Sequence, residues 1–308
     1  MNKRKFQYLP GVLLLALGSV PLLAQVNIPN TFASGETAVA AEVNANFQAL
    51  EDGLNDALLR INTLESELAQ AQTALDEAQN VLALNDYVEL VPDDNILNEY
   101  TVRFSGVNLQ IVNGEGQTES VNGLGNLIVG YNEARNLGTD NSICSDGQYD
   151  NQTDCVDNSE LWQPSHKSGS HNLIVGHGNA YSQYGGIVAG EHSAINRGHA
   201  SVTGGWVNVA SGSHAAVAGG QNNVASGHRS AVLGGYDNSA TYANATVSGG
   251  RENTASGTYS SVSGGIQNTA SGRYSSVSGG EGNTAYGIAS SILGGQNESA
   301  TSDYQTIP

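Results

Sequence analysis

Large apolar side chains and positive charge are both scarce in this sequence. Its 308 residues include 4 Phe, 2 Trp and 1 Met, and 11 Lys and Arg stand against 29 Asp and Glu, for a formal charge of −18. So few bulky apolar residues argue against one large globular core and hence against a compact enzyme domain. A nucleic-acid-binding protein is also disfavoured, because phosphate backbones are held mainly by clustered Lys and Arg. Glycine, in contrast, is abundant at 39 residues, which is typical of a repetitive or elongated chain.

Recognisable catalytic motifs are missing as well. The sequence contains no GxSxG, HExxH, CxxC or P-loop pattern. In the C-terminal third the acidic residues are too dispersed for the paired carboxylates of a polysaccharide-active β-solenoid enzyme. They are Asp237, Glu252, Glu281, Glu298 and Asp303. We therefore predict a protein without catalytic residues and without a cofactor.

Residues 1–24 have the pattern of an export signal. A basic start at Lys3, Arg4 and Lys5 precedes an apolar stretch, and Ala24 offers a small residue for cleavage. A retained membrane anchor is the alternative, but glycines and a proline interrupt the stretch, which is short for a bilayer of roughly 30 Å. We therefore expect a mature chain without a transmembrane segment, placed outside the cell, at its surface or in the periplasm.

After an N-terminal segment at 25–42, residues 43–84 carry an unbroken heptad pattern. Apolar residues recur at alternating steps of four and three from Val43 to Leu82. Such a sustained 3.5-residue period is typical of coiled coils rather than of isolated amphipathic helices. The sequence therefore predicts an α-helical coiled-coil stalk with its core at Phe47, Leu54, Ile61, Leu68, Leu75 and Leu82.

The C-terminal part repeats itself every fifteen residues. The copies TASGTYSSVSGG and TASGRYSSVSGG follow one another from Thr254, and Gly-Gly pairs recur in phase from Gly204 to Gly295. A fixed short period indicates the stacked coils of a solenoid, and abundant Ser, Thr and Val favour short strands and turns, two of each per coil. An asparagine column from Asn208 to Asn283 is expected to stack its amides at a turn. The column assigned to the core is Ile187, Val202, Val217, Val232, Val247, Val262, Val277 and Ile292.

Alternation along each strand predicts which side chains face inward. Val262 is expected inside with the small Ser260 and Gly264, while Ser261 and Ser263 point outward. One chain then buries only a narrow strip of small residues per coil. We therefore expect other chains around a shared axis to complete the core.

The repeat motif resembles that of a known family. Asn-x-Ala-x-Gly-x-x-Ser-Ser-Val-x-Gly-Gly, at 253–265, is similar to the head repeats of trimeric autotransporter adhesins, the YadA-like family. The resemblance covers 171–301 and, more loosely, 105–136, where GNLIVGYNEARN is echoed by HNLIVGHGNAYS beyond the cysteine loop. It implies a mainly β fold: a left-handed parallel β-roll of three chains, with a connector and first coils at 85–136 and the head at 169–308. The sequence departs from the family in its longer repeat, in a stalk that precedes the head and in lacking the C-terminal membrane barrel.

Residues 137–168 form an insertion that contains the only two cysteines, Cys144 and Cys155. Disulfides are common in exported proteins, and closing this loop would stabilise the fold by roughly 3 kcal/mol. We therefore predict one disulfide in a rigid loop that decorates the roll. A Ca²⁺ site is an alternative role for the loop's aspartates, although their spacing is not that of an EF-hand. The candidate ligands are Asp146, Asp150 and Asp154, and the loop also contains Asp140 and Asp157.

Two histidines, His199 and His214, are one period apart. They are expected on the same face of adjacent coils, where two imidazoles can share a transition metal. Later members of that column are Arg229, Asn244 and Tyr259. Because this mixture is typical of an exposed position, we favour a solvated column without a metal.

Together with the resemblance, these features predict an exported, non-catalytic homotrimer. Its role would be structural or adhesin-like, with the head binding a surface, glycan or matrix ligand. The alternatives are a module that binds a regular surface such as a polysaccharide or ice, a phage-fibre-like protein and, least favoured, a polysaccharide-active enzyme. An ice-binding face would need a regular Thr array, whereas the exposed columns here mix Ser, Tyr, Thr and Arg.

Overall fold

The computed structural model describes residues 26–92, 99–138 and 141–308, and the chain divides into two compact units after Leu109. The predicted export signal at 1–24 and the loop residue Asp140 lie outside the described residues. Across the described ranges, no helix combines the length and apolar character needed to cross a membrane.

The first unit contains one long helix and a hairpin. Helix α1, Ala40–Leu82, is followed by a 3₁₀ turn, Ala83–Asp86. Two antiparallel strands, Val88–Pro92 and Tyr100–Phe104, come next. The helix predicted from the heptad pattern is therefore confirmed, and the start of the predicted connector is a β-hairpin.

The segment before α1 folds back along the helix. Asn30 and Asn46 are joined by two hydrogen bonds of 2.8 and 2.9 Å between backbone and amide groups. Val26 lies so close to Gly53 that a Cβ there would be 2.4 Å from Val26 Cγ2. A larger residue at position 53 would require the Val26 side chain to move.

The heptad stripe of α1 is not covered by that segment. Phe47, Leu54 and Leu68 are 65%, 62% and 69% exposed, and Ile61 and Leu75 are exposed as well. Nothing is described for the side chain of the sixth predicted core residue, Leu82. A helix with this much apolar surface in water has a face that is expected to pack against another surface.

The second unit, Gln110–Pro308, is a parallel β-solenoid whose coils contribute to three ladders. The first ladder has eleven strands: Leu127–Val129, Leu173–His177, Ile187–Glu191, Ser201–Val202, Ala216–Val217, Ala231–Val232, Thr246–Val247, Ser261–Val262, Ser276–Val277, Ser291–Ile292 and Thr306–Ile307. The second has nine: Ala180–Tyr181, Ala194–Ile195, Val209–Ala210, Val224–Ala225, Ser239–Ala240, Thr254–Ala255, Thr269–Ala270, Thr284–Ala285 and Ser299–Ala300. The third consists of single bridges between Glu191 and Gln296. This third ladder was not predicted, because its residues, such as Trp206 and Arg251, share no chemical type.

The valine and alanine columns fill the interior of the roll. Each valine of the core column, at fifteen-residue steps from Val202 to Val277, is at most 1% exposed, and each alanine at the same steps from Ala210 to Ala300 is fully buried. This chain alone buries both columns, so the expectation that other chains complete the core is wrong. Three ladders enclose so narrow a space that one valine, one alanine and one further small residue per coil fill it, the last being Ser260 beside Val262, as predicted. Gly264 is not part of this core, since a Cβ there would meet nothing within 4 Å.

The core assignment of Ile187 is also wrong. Ile187 is 38% exposed, whereas Val188 is fully buried and pairs with Val202, fourteen residues later. The early coil carries a single glycine, Gly190, where later coils carry a pair such as Gly204-Gly205, and is therefore one residue shorter. Extrapolating the fifteen-residue period backwards placed the wrong residue inside.

The asparagine column is buried and binds backbone rather than neighbouring amides. Asn253 Nδ2 donates to Gly249 O in its own coil and to Gly265 O in the next, at 3.0 and 2.9 Å. Its Oδ1 accepts from Asn268 N at 3.0 Å. The same pattern runs from Asn208 to Asn283, and it differs from the expected amide stack because each amide satisfies turn groups that no ladder pairs.

The insertion contains the predicted disulfide, Cys144–Cys155. It is built from the antiparallel strands Ile143–Cys144 and Trp162–Gln163 and from the short helix α2, Gln152–Asp157. It does more than decorate the roll, because it hydrogen-bonds the first coils at several points. Asn196 Nδ2 donates to Cys144 O at 2.9 Å, and Ser182 Oγ donates to Ser145 O at 2.7 Å.

Candidate functional site

At one corner of the roll, each fifteen-residue coil has one residue in the left-handed backbone region, with φ between 55° and 62°. Residues other than glycine are uncommon in this region, yet the chain places histidines and tyrosines there. We call this set the corner column. Its members are His199, His214, Arg229, Asn244, Tyr259, Tyr274, Ala289 and Tyr304.

Imidazole and phenol rings contact one another along the first part of the corner column. The ring centroids of Tyr184 and His199 are 5.3 Å apart, and those of His199 and His214 are 5.0 Å apart. His228, next to the column, lies 5.8 Å from His214. The predicted placement of His199 and His214 on one face is confirmed. Among the described residues, no third metal-ligating group gathers with this pair.

A second aromatic stretch lies further along the column. Tyr259 and Tyr274 stack with centroids 5.3 Å apart and an interplanar angle of 16°. They remain 52% and 48% exposed. The Arg273 guanidinium lies 4.7 Å from the centre of the Tyr274 ring, which is a cation–π contact. The result is a flat, exposed aromatic surface with a fixed cation beside it.

A polar groove of about 320 Å³ runs between the insertion and the roll, next to the first aromatic stretch. Arg197 Nη1 donates to Asp146 Oδ1 at 2.6 Å across one side of it. Hydroxyl, amide, imidazole and carboxylate groups all face the same open space. The lining residues that carry them include Gln148, Asp150, Arg197, Ser213, His228 and Thr241.

Ser213, which lines this groove, and its neighbour His214 have the atoms of a hydrolytic dyad but not its setting. Ser213 Oγ and His214 Nδ1 are 2.9 Å apart. Within the described part of the chain, however, no carboxylate is hydrogen-bonded to that imidazole. A nucleophile–base pair needs such an orienting group. The contact is therefore that of a half-buried serine with the exposed histidine that follows it.

The described loop aspartates do not converge on one cation position. Asp146 accepts from Arg197, while Asp150 and Asp154 accept from Asn151 at 3.1 and 2.7 Å. Their carboxylates are therefore engaged with the protein. In residues 141–308 none of them joins a ligand cluster, so the calcium alternative has no support from these groups.

Two cations, the buried Arg135 and the half-buried Lys167, fasten the insertion to the first coils. Arg135 Nε donates to His192 O at 2.7 Å, and burial lowers the pKa of Arg135 to about 10. Lys167 donates to Asn179 O and lies 5.2 Å from the centre of the Tyr181 ring, with its pKa lowered to about 8 by burial. Both bind backbone carbonyls, so their role is to hold the structure together.

Imidazole and carboxylate groups converge at one place that the sequence analysis missed. One ligand atom from each of His177, Glu191 and His192 lies within 4.8 Å of the others, the one such group of three in the described ranges. The sequence contains a signal for this cluster, because His177 and His192 are one fifteen-residue period apart, like His199 and His214.

No protein-family model matches the chain, and a search of curated proteins finds no match. The similarity to YadA-like heads therefore rests on the repeat motif alone. It stays a hypothesis.

Proposed function

We propose that this chain is an exported, non-catalytic, trimeric protein with a structural or adhesin-like role, and that its roll binds a glycan or matrix ligand along the corner column. The observation that carries the proposal is the exposed aromatic surface of that column, held in register by the ladders. Tyr and Arg contribute much of the binding energy at protein surfaces. Aromatic faces suit the C–H faces of sugars, and the groove at Arg197 and Asp150 offers partners for sugar hydroxyls.

The repeat makes such binding multivalent. Equivalent positions recur about every 4.8 Å along the ladders, so a polymeric ligand lying along the roll meets a polar or aromatic side chain at most coils. Individually weak contacts then add through effective concentration. Three chains side by side would multiply the number of contacts again.

The proposal of a trimer rests on the apolar stripe of α1. Its exposed positions Phe47, Leu54, Ile61, Leu68 and Leu75 follow the heptad period. Association of parallel helices would bury them as knobs in holes. The three-chain number and the left-handed sense of the roll come from the resemblance alone. The early coils repeat every fourteen residues. They support the resemblance, because the family's common repeat is shorter than fifteen residues.

Export is supported by two independent features. The leader-like pattern at 1–24 comes from the sequence, and the Cys144–Cys155 disulfide belongs to the described structure. Disulfides persist in oxidising compartments and are rare in the cytosol.

The test is binding of the untagged, oxidised protein to arrays of glycans and matrix proteins. We compare wild type with the double variant Tyr259→Asn, Tyr274→Asn, since asparagine tolerates the left-handed backbone there. Tyr286→Ser is the matched control: it removes an exposed tyrosine outside the stack and restores the serine found one coil earlier at Ser271.

We expect wild type and Tyr286→Ser to bind at least one ligand class and the double variant to lose most of that binding. Absence of binding on every array, or full binding by the double variant with unchanged melting, would contradict the proposal.

A further inference from the structure

We propose that His177, Glu191 and His192 bind a divalent transition metal, with Zn²⁺ as the best chemical match, at the start of the roll. Two imidazoles and a carboxylate are a common ligand set for zinc, with a water completing the tetrahedron. This inference is independent of the proposed ligand-binding function.

The spacing of the ligand atoms fits a metal better than a hydrogen bond. His192 Nε2 and Glu191 Oε1 are 3.7 Å apart, beyond the 2.7–3.2 Å of an N–H···O hydrogen bond. Two ligands at about 2.0–2.1 Å from a tetrahedral zinc are roughly 3.3 Å apart. The group as a whole spans no more than 4.8 Å. Small movements of the exposed His177 and Glu191 side chains would close it around an ion.

The backbone holds the three ligands together. His177 and Glu191 are paired in the first ladder, and His192 N donates to His177 O at 2.9 Å. The two imidazole centroids are 5.1 Å apart. The site therefore spans two adjacent coils and needs no rearrangement of the main chain.

The His192 ring packs closely against Gly178. A Cβ on Gly178 would be 2.4 Å from His192 Nδ1, and His192 itself is in the left-handed region with φ 52°. Its Nδ1 is buried without a hydrogen-bond partner in the described part of the chain. The other ring nitrogen, Nε2, lies 3.7 Å from Glu191 Oε1 and is the His192 atom available to a metal on this side.

Two further groups support the ligands from the first coil and its connection. Glu133 Oε1 lies 3.6 Å from His177 Nδ1, longer than a hydrogen bond, and places a negative charge beside that imidazole. Arg135 is hydrogen-bonded to the backbone carbonyl of His192. A bound ion would therefore link the two coils after the insertion, and Glu133 and Arg135 connect those ligands to the segment before it.

The cluster is a departure from the repeat rather than a consequence of it. In the next coils the positions of Glu191 and His192 are taken by Trp206 and Val207, then by Gln221. Nitrogen ligands also favour zinc, copper or nickel over calcium, which prefers oxygen alone. Glu133 and Glu191 supply negative charge that suits a divalent ion.

The experiment measures zinc on the untagged, oxidised, full-length protein. After chelator treatment and desalting, the protein is titrated with ZnCl₂ by calorimetry, and retained zinc is measured by mass spectrometry after a second desalting. The variants are His177→Ala, Glu191→Gln and Glu133→Gln. The matched control is His214→Ala, which removes an exposed imidazole from the other histidine pair.

We expect one tightly held zinc per chain in wild type and in His214→Ala. Affinity should fall at least about 10-fold in Glu133→Gln, by loss of an outer carboxylate, and further in His177→Ala and Glu191→Gln. Because the His177 and Glu191 side chains are exposed, the melting temperatures of these two variants without metal should equal that of wild type. A tetrahedral visible spectrum of the Co²⁺-loaded protein should be absent in His177→Ala. Equal zinc binding in wild type and His177→Ala, or loss in His214→Ala, would overturn the proposal.

Discussion

Replacing Asn253 by alanine removes a side chain that ties two coils together. Its amide makes three hydrogen bonds to backbone groups, of Gly249, Gly265 and Asn268. The side chain is fully buried, so water cannot replace these bonds without opening the roll. In the variant, the Asn268 amide N–H loses its acceptor inside the structure.

The loss can be estimated bond by bond. A buried N–H without an acceptor costs about 1–3 kcal/mol, and each of the two other hydrogen bonds contributes about 1 kcal/mol net. The free energy of unfolding should therefore fall by about 3–5 kcal/mol per chain. In a unit of this size 1 kcal/mol corresponds to about 2–4 °C, so Asn253→Ala should melt roughly 6–20 °C below wild type.

The assay is thermal unfolding followed by circular dichroism, with Ser263→Ala as control. Ser263 is an exposed serine in the adjoining strand region, and its replacement should change stability by less than about 0.5 kcal/mol. Equal melting temperatures for Asn253→Ala and Ser263→Ala would refute the reasoning.

The charge variant Asn253→Asp gives a pH-dependent form of the same test. Its carboxyl would be buried opposite two carbonyls, which raises its pKa in the folded state above the unfolded value of about 3.9. The folded state then binds more protons, so the deficit relative to wild type should grow as pH rises from about 4 to 7. A deficit that does not change with pH would contradict the burial of this site.

The core column, the disulfide and a half-buried lysine allow three more tests. Val262→Asp places an unpaired charge in the buried column, at a cost above about 4 kcal/mol. The roll of this variant should lose cooperative melting, whereas the control Ser263→Asp should keep it. Cooperative melting of both variants would contradict the inward position of Val262. Thiol labelling of the denatured, unreduced protein should find no free thiol at Cys144 or Cys155. Reduction should lower hydrogen-exchange protection in the first coils but leave it in the fifteen-residue coils. Loss of protection throughout would show that the insertion supports the whole roll. Because burial lowers the pKa of Lys167 from 10.5 to about 8, unfolding takes up a proton between these values, so stability in urea should rise with pH from about 8 to 10. This rise should be absent in Lys167→Met, and its persistence there would assign it to another group.

The fifteen-residue period was enough to predict the regular coils. Residues in the same phase of a stacked solenoid meet the same neighbours, so the burial of Val262 and the pairing direction of its strand follow from the repeat. The helix over 40–82 could likewise be predicted, because its heptad pattern is uninterrupted. The disulfide followed from there being only two cysteines.

The period gave wrong or incomplete results where the chain departs from it. A single glycine at Gly190 shortens one coil and exchanges Ile187 for Val188 in the core. The contacts of the insertion depend on residues far apart in sequence, such as Cys144 and Asn196. The zinc cluster was missed for a related reason, since Glu191 reaches His177 only through the shorter coil.

Association of three chains through α1 is the central claim, and its most direct test is the mass of the processed, oxidised protein by sedimentation equilibrium. The predicted result is three chain masses at micromolar concentration. Leu68→Asp should lower this mass, because it places a carboxylate from each chain in one apolar layer, whereas Thr73→Asp, on the opposite side of the heptad, should leave it unchanged. A wild-type protein that sediments as a single chain would contradict the claim.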